Sequence, residues 1–337
     1  MESKERVRRA VKFETPDIIP TDVWCLPAIH LKYRDELWEL FDRYPIDFGN
    51  GKVERIATLE DRYKAGIYKD EWGSVWRNET PGLMGQVVEF PLNDWDNLKH
   101  FKPPLEMVDK EFAKVNPKSI ETQPGFTLGF IGTIYHQMNW LRNSEDVMID
   151  LMSEDKKIII MMDMIHDFNM KRLNRVLRLP YDGVVVADDW GSQSQLLIPP
   201  MLWRKFFKSR YKEYFDMAHR AGKLVFFHSD GYIAEIIEDM IEIGVDALNS
   251  QVWCMDVEEL RDRFRGRICF WGELDRQWLL PRGTPEEIDK AIAKVVRYFH
   301  TGTGGYICQC EFTLETPMSN IEAVFEAWEK YRKPSWK

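Results

Sequence analysis

From about residue 125 onward the chain alternates short, nearly continuous apolar runs with longer helical ones. That rhythm restricts the fold more than any other feature. The apolar runs are GFTLGFIG (125–132), DGVVVADDW (182–190), KLVFFHSDG (223–231), DALNS (246–250), RICFWGELD (267–275) and GGYICQCEF (304–312). They are rich in β-branched and aromatic residues and lack apolar–polar alternation, which marks strands covered on both faces. Helical runs separate them. One spans 144–177, with Ser144 at the N-cap position and Asp146 in the first turn. Pro199 and Pro200 open another that stops at Ala221-Gly222. A third is closed by Gly244, a fourth covers 256–264, and the last 317–332. Thr284 and Glu287 have the spacing of a capping box. Strand–helix–strand units in series predict a parallel sheet. DIIPTDVW (17–24) adds a seventh strand near the start, whereas 50–120 is less regular, with EWGSVWRN (71–78) reading as a β-hairpin or insertion. No strand is followed by GxGxxG or GxxxxGK[ST], so an open nucleotide-binding sheet has no support. The expectation is one (β/α)8-barrel domain over 1–337, with an insertion around 50–120.

Composition narrows the function. The 337 residues carry a formal charge of −9 with no Lys/Arg-rich run, which argues against nucleic acid, whose affinity rests on phosphate neutralisation, and against an anionic membrane surface. No apolar stretch is long enough to span a bilayer. MESKERVRRAVKFETPD reads as an amphipathic helix ending before Pro16, not as a signal peptide. Five cysteines in a chain this long do not make a disulfide framework. A cytoplasmic enzyme with free thiols is expected, with a homodimer left open. Thirteen tryptophans suit a large core and also a cleft for a flat ligand.

Active sites of such barrels lie at the C-terminal strand ends. Those ends carry Asp22 and Trp24; Asp188, Asp189 and Trp190; His228, Ser229 and Asp230; Asn249 and Ser250; Glu273 and Asp275; and Cys308, Cys310 and Glu311. His228 and Asp230 are two apart and so share a strand face. Imidazole, carboxylate and thiolate are all zinc ligands, and three of them with an open position is the catalytic pattern. His228, Asp230 and Cys310 are the candidate ligands, and Glu273 a fourth ligand or a general base. Set against this, a histidine at a strand end is often merely hydrogen-bonded, and a cysteine in an apolar strand is often core. Cys308 reads as core. His136, in IGTIYHQMNW, is a candidate substrate contact.

DDWGSQ (188–193), the run 197–231 ending in FFHSDG, IIEDMIEIGVDALN (236–249), GELD with LLPRGTPEEI (272–288) and GGYICQC with ETPMSNI (304–321) together resemble the uroporphyrinogen decarboxylase-like superfamily, whose fold is a (β/α)8 barrel. The superfamily contains decarboxylases and corrinoid-linked methyltransferases. Its decarboxylases carry an arginine-rich segment after the first strand. Here that position reads DVWCLPAIHLKYR (22–34), without the arginines that would hold a tetrapyrrole's carboxylates. Its thiol-methylating members bind zinc through His-x-Cys and a later Cys. His228-Ser229-Asp230 matches with Asp in place of the first Cys, and Cys310 matches the later one.

That departure replaces a soft ligand by a hard one and implies a more Lewis-acidic metal. The resemblance therefore implies a zinc-dependent O-demethylase-type methyltransferase. It would pass a methyl group from a small, methoxylated aromatic donor to the cob(I)alamin of a separate corrinoid protein. Asp189, Glu273 or His136 would supply a proton, and Trp24, Tyr135, Trp140 and Trp190 would wall the substrate. The alternatives are a methylcobalamin:thiol (coenzyme M-type) methyltransferase and a cofactor-free decarboxylase of the parent type. The chain lacks a DxHxxG-type cobalamin motif, so the corrinoid would belong to the partner protein.

Overall fold

The computed structural model describes residues 1–333. Its ten strands are β1 (Thr21–Cys25), β2 (Gly66–Lys69), β3 (Val75–Asn78), β4 (Gln86–Glu89), β5 (Leu128–Gly132), β6 (Gly183–Ala187), β7 (Leu224–Ser229), β8 (Ala247–Ser250), β9 (Cys269–Trp271) and β10 (Tyr306–Phe312). Seven run parallel in the order β1-β10-β9-β8-β7-β6-β5. These are the seven apolar runs of the sequence. The opening between β1 and β5 is closed by residues 46–49. Asp47 N donates to Thr21 O (2.8 Å), Phe126 N to Asp47 O (2.8 Å) and Gly49 N to Phe126 O (3.0 Å). The result is a (β/α)8 barrel whose eighth staff is too short to show as an apolar run. Asp47, buried, also receives Arg6 at 2.5 Å and Arg332 at 3.3 Å. It thereby ties the first and last helices to the ring.

Two helical runs are divided. The 144–177 stretch splits into Ser144–Ser153 and Lys156–Val176, because Glu154 turns left-handed and Asp155 caps the second helix. Its first cap is Asn143, not Ser144: the Asn143 side chain accepts from Glu145 N. The 200–220 stretch breaks at Phe207 into Pro200–Phe206 and Lys208–Arg220. The capping box at Thr284 and Glu287 forms. No helix among the described residues is long and apolar enough to cross a membrane.

The irregular 50–120 segment contains a three-stranded antiparallel sheet, β2-β3-β4. It leans on the barrel at two places beside the mouth. Trp76 meets Trp140 edge-on at 5.4 Å and Ser74 Oγ donates to Trp140 O. At the other place Ala28 N donates to Gly82 O.

Strand parity decides what faces the lumen. Phe48 stacks on Trp271, and Phe226 and Trp24 meet Trp271 edge-on. These rings make the floor, with the buried Asp22 among them accepting from the Trp24 and Trp271 indole N–H groups. His228 stands two residues above Phe226, at the top of the same face of β7.

Candidate metal centre at the barrel mouth

The loops after β6 and β7 are pressed together at Gly191 and Gly231. A Cβ on either would overlap the other's backbone, and Gly231 has φ +75°. Gly191 N donates to Asp230 O (3.1 Å) and Asp230 N to Asp189 Oδ1 (2.9 Å). This contact brings Asp189 and Asp230 to the same point, where they face His228.

His228 has a fixed orientation. Asn249, fully buried on β8, donates its amide to the Trp271 carbonyl and to Gln309 Oε1. Its Oδ1 is therefore the atom turned to His228 Nδ1. Nδ1 is thereby engaged as a donor, which leaves Nε2 turned into the mouth as the nitrogen a metal would take. Nε2 lies 3.5 Å from Asp189 Oδ1 and 3.6 Å from Asp230 Oδ1. Asp230 Oδ1 is buried and has no hydrogen-bond partner. Asp189, His228 and Asp230 each offer a ligand atom, all within 4.8 Å of one another. Two bonds of about 2.0–2.1 Å in a tetrahedral shell hold ligand atoms about 3.4 Å apart. An imidazole nitrogen facing two carboxylates, one with an orphaned oxygen, fits a divalent cation.

Cys310 does not join this group, which corrects its place as a candidate ligand. On β10 the lumen-facing residues are Gln309, bonded to Asn249, and Glu311, paired with Arg276. Tyr306 and Phe312 face the helices, against Phe299 and Phe325. Cys308 and Cys310 share that outer face by alternation, and burial raises the Cys310 thiol pKa well above its ordinary value. The oxygen donor that sequence reasoning placed among the proton carriers, Asp189, stands in the group instead.

Glu273 follows β9. It is fully buried, and neither carboxylate oxygen has a hydrogen-bond partner. Burial lifts its pKa to about 7 against the opposing pull of Arg276, whose Nε is 3.7 Å from Oε2. Arg276 also pairs with Asp230 and Glu311. Nothing in the sequence singled out Arg276 or the role of Asn249. Asn249 stood only among the strand-end residues, and Arg276, beyond the end of β9, not even there.

His136 opens the helix Tyr135–Leu141. Asp188, fully buried, holds that helix end: it accepts from the backbone N–H groups of Ile134, Tyr135 and His136 and from Tyr211 Oη at 2.6–2.8 Å. His136 Nε2 is 3.1 Å from Asp189 Oδ2. Burial lowers the imidazole's pKa, but Asp189, Asp188 and Asp230 outweigh it and lift it to about 9. Asp189 is held below the ordinary carboxylate range because His136 and His228 outweigh its burial.

Two of the four predicted aromatic contacts are at the site. Trp24 meets His228 edge-on at 5.1 Å, and Trp140 stacks on His136 at 5.6 Å. The other two are corrections. Tyr135 and Trp190 stack on each other at 4.6 Å in the core, where Trp190 packs on Phe207 and Trp203. Each lies one residue from a mouth position, Tyr135 before His136 and Trp190 after Asp189, and turns into the core instead. Beside Asp230 opens a cavity of about 640 Å³, lined also by Leu26, Arg276, Arg282, Glu311 and Thr313 among others.

Three comparisons bear on this architecture. A uroporphyrinogen decarboxylase from Pseudoalteromonas translucida is 24% identical over 309 residues, 86% of this chain and 82% of that protein. A methyltransferase from Methanosarcina mazei has the same fold, with TM-score 0.65 at 16% identity over 98% of this chain and 99% of the other. The model of the uroporphyrinogen decarboxylase (URO-D) family matches residues 99–331. With this barrel and that match, the chain belongs to the uroporphyrinogen decarboxylase (URO-D) family.

Proposed function

We propose that this protein is a zinc-dependent methyltransferase that moves a methyl group from a small methoxylated aromatic to the cob(I)alamin of a separate corrinoid protein. The observation that carries the reading is the group formed by Asp189, His228 and Asp230. It offers two carboxylates and an imidazole, and no thiolate. Those three residues would hold the metal, which supplies Lewis-acid polarisation of the ether oxygen that leaves. A harder donor set suits an oxygen leaving group better than activation of a thiol.

The chain's other residues fit that task. Glu273, with a pKa of about 7 and neither oxygen hydrogen-bonded, is about half protonated at neutral pH and would give that proton to the departing oxygen. His136 serves Asp189 and is thereby engaged. Trp24 and Trp140, beside His228 and on His136, would wall an aromatic ring, and the Trp24 indole N–H is anchored on Asp22 Oδ2. The rings beneath His228 close the barrel below the site.

The decarboxylase reading is weaker on the same ground. In 22–34 the one arginine is Arg34, which is exposed and reaches only the Leu31 carbonyl.

The test combines the zinc-loaded protein, its Co(I) corrinoid protein and a panel of methoxylated phenols and benzoates. The reading expects donor-dependent loss of the Co(I) absorption and gain of methyl-Co(III), abolished by chelation. No spectral change with any donor, or full activity in the metal-free protein, would overturn it. Thiol-dependent demethylation of free methylcobalamin would instead assign the acceptor side.

A further inference from the structure

Both carboxylates of the metal group have one oxygen turned to His228 and one turned away. The outer oxygen of Asp230, Oδ2, pairs with Arg276 Nη2. Arg276 is nearly buried, with 12% of its side chain exposed, and its partners are Asp230, Glu273 and Glu311. All three acids approach the mouth from different strands: β7, β9 and β10. A guanidinium is always charged and spends that charge wherever its fork is docked. Here it is docked against the back of a ligand carboxylate, inside the cavity wall.

We infer that Arg276 is a positioning residue that keeps the metal electron-poor. The inference rests on the metal reading above. Arg276 acts in two ways. Its hydrogen bond fixes Asp230 so that only Oδ1 faces His228, which presets a single-oxygen ligand. Its positive charge draws electron density from that carboxylate and neutralises Glu311, which would otherwise add negative charge around the cation. Both charge effects weaken metal binding. They are tolerated because a less satisfied cation polarises a substrate oxygen more strongly.

This gives a sign that ordinary damage to a site would not produce. Removing the charge tightens metal binding. Like charges at these separations interact by kcal/mol even in the screened interior of a protein, so the effect on affinity should be tenfold or more.

The experiment measures zinc affinity of the full chain by chelator competition for the wild type, Arg276→Gln and Arg276→Lys. The expected result is that Arg276→Gln binds zinc on the order of tenfold more tightly, while Arg276→Lys, which keeps the charge, stays within about threefold of wild type. Thermal melts monitor folding, and Arg276→Met gives a second neutral variant should the glutamine protein fail to fold. Equal or weaker zinc binding in the folded neutral variants overturns the inference while leaving the metal reading intact. A wild type that binds no zinc overturns both.

Discussion

Replacing Glu273 by glutamine should stabilise the metal-free protein, and by an amount that depends on pH. The carboxyl is fully buried with neither oxygen hydrogen-bonded, and its pKa stands at about 7 against an ordinary 4.5. At 1.36 kcal/mol per pH unit, that difference is worth about 3 kcal/mol between the two protonation states. The sign follows from linkage. Below the unfolded-state pKa both states hold the proton and folding carries no penalty. Between about 4.5 and 7 the unfolded chain loses its proton while the folded one keeps it, so wild-type stability falls as pH rises. Above 7 the loss levels off. Glutamine has nearly the same shape and no proton to lose. The stability advantage of Glu273→Gln should therefore grow by about 2 kcal/mol between pH 5 and pH 8. Urea denaturation of the metal-free proteins across this range measures it. A difference between variant and wild type that does not change with pH would refute the reasoning.

Cys310→Ser should leave zinc affinity unchanged, measured by chelator competition, because that thiol faces the helices; a loss of binding would return it to the ligand set. Asn249→Ala should weaken zinc binding roughly 10–100-fold by freeing the His228 ring and its tautomer, read in the same competition and by the imidazole nitrogen shifts in NMR. Trp190→Phe should cost about 1–3 kcal/mol in denaturant melts and leave KM for any donor unaltered, since the indole is core; a raised KM with unchanged stability would restore it as a substrate contact.

The barrel was legible because each parallel strand, covered on both sides, leaves a run of apolar residues that helices separate. Residues 46–49 escaped for the converse reason: a four-residue staff ending at Gly49 shows only Ile46 and Phe48, too few to stand out. At the site, the period of two brought His228 and Asp230 together from sequence alone. The same period, applied to β10, separates Cys310 from Glu311. It could not be used there because the sequence does not say which parity faces the lumen. That became visible only through Gln309 meeting Asn249 across the barrel. Tyr135 and Trp190 illustrate the same limit, each lying one residue from a mouth position. Arg276 has no local signature at all, being drawn into place by acids from three different strands.

X-ray absorption at the zinc edge of the zinc-loaded protein tests the central claim most directly. Asp189, His228 and Asp230 predict nitrogen and oxygen neighbours at about 2.0–2.1 Å and no sulfur, with the signal lost in His228→Ala. A sulfur neighbour at about 2.3 Å, or no bound zinc, would contradict the account.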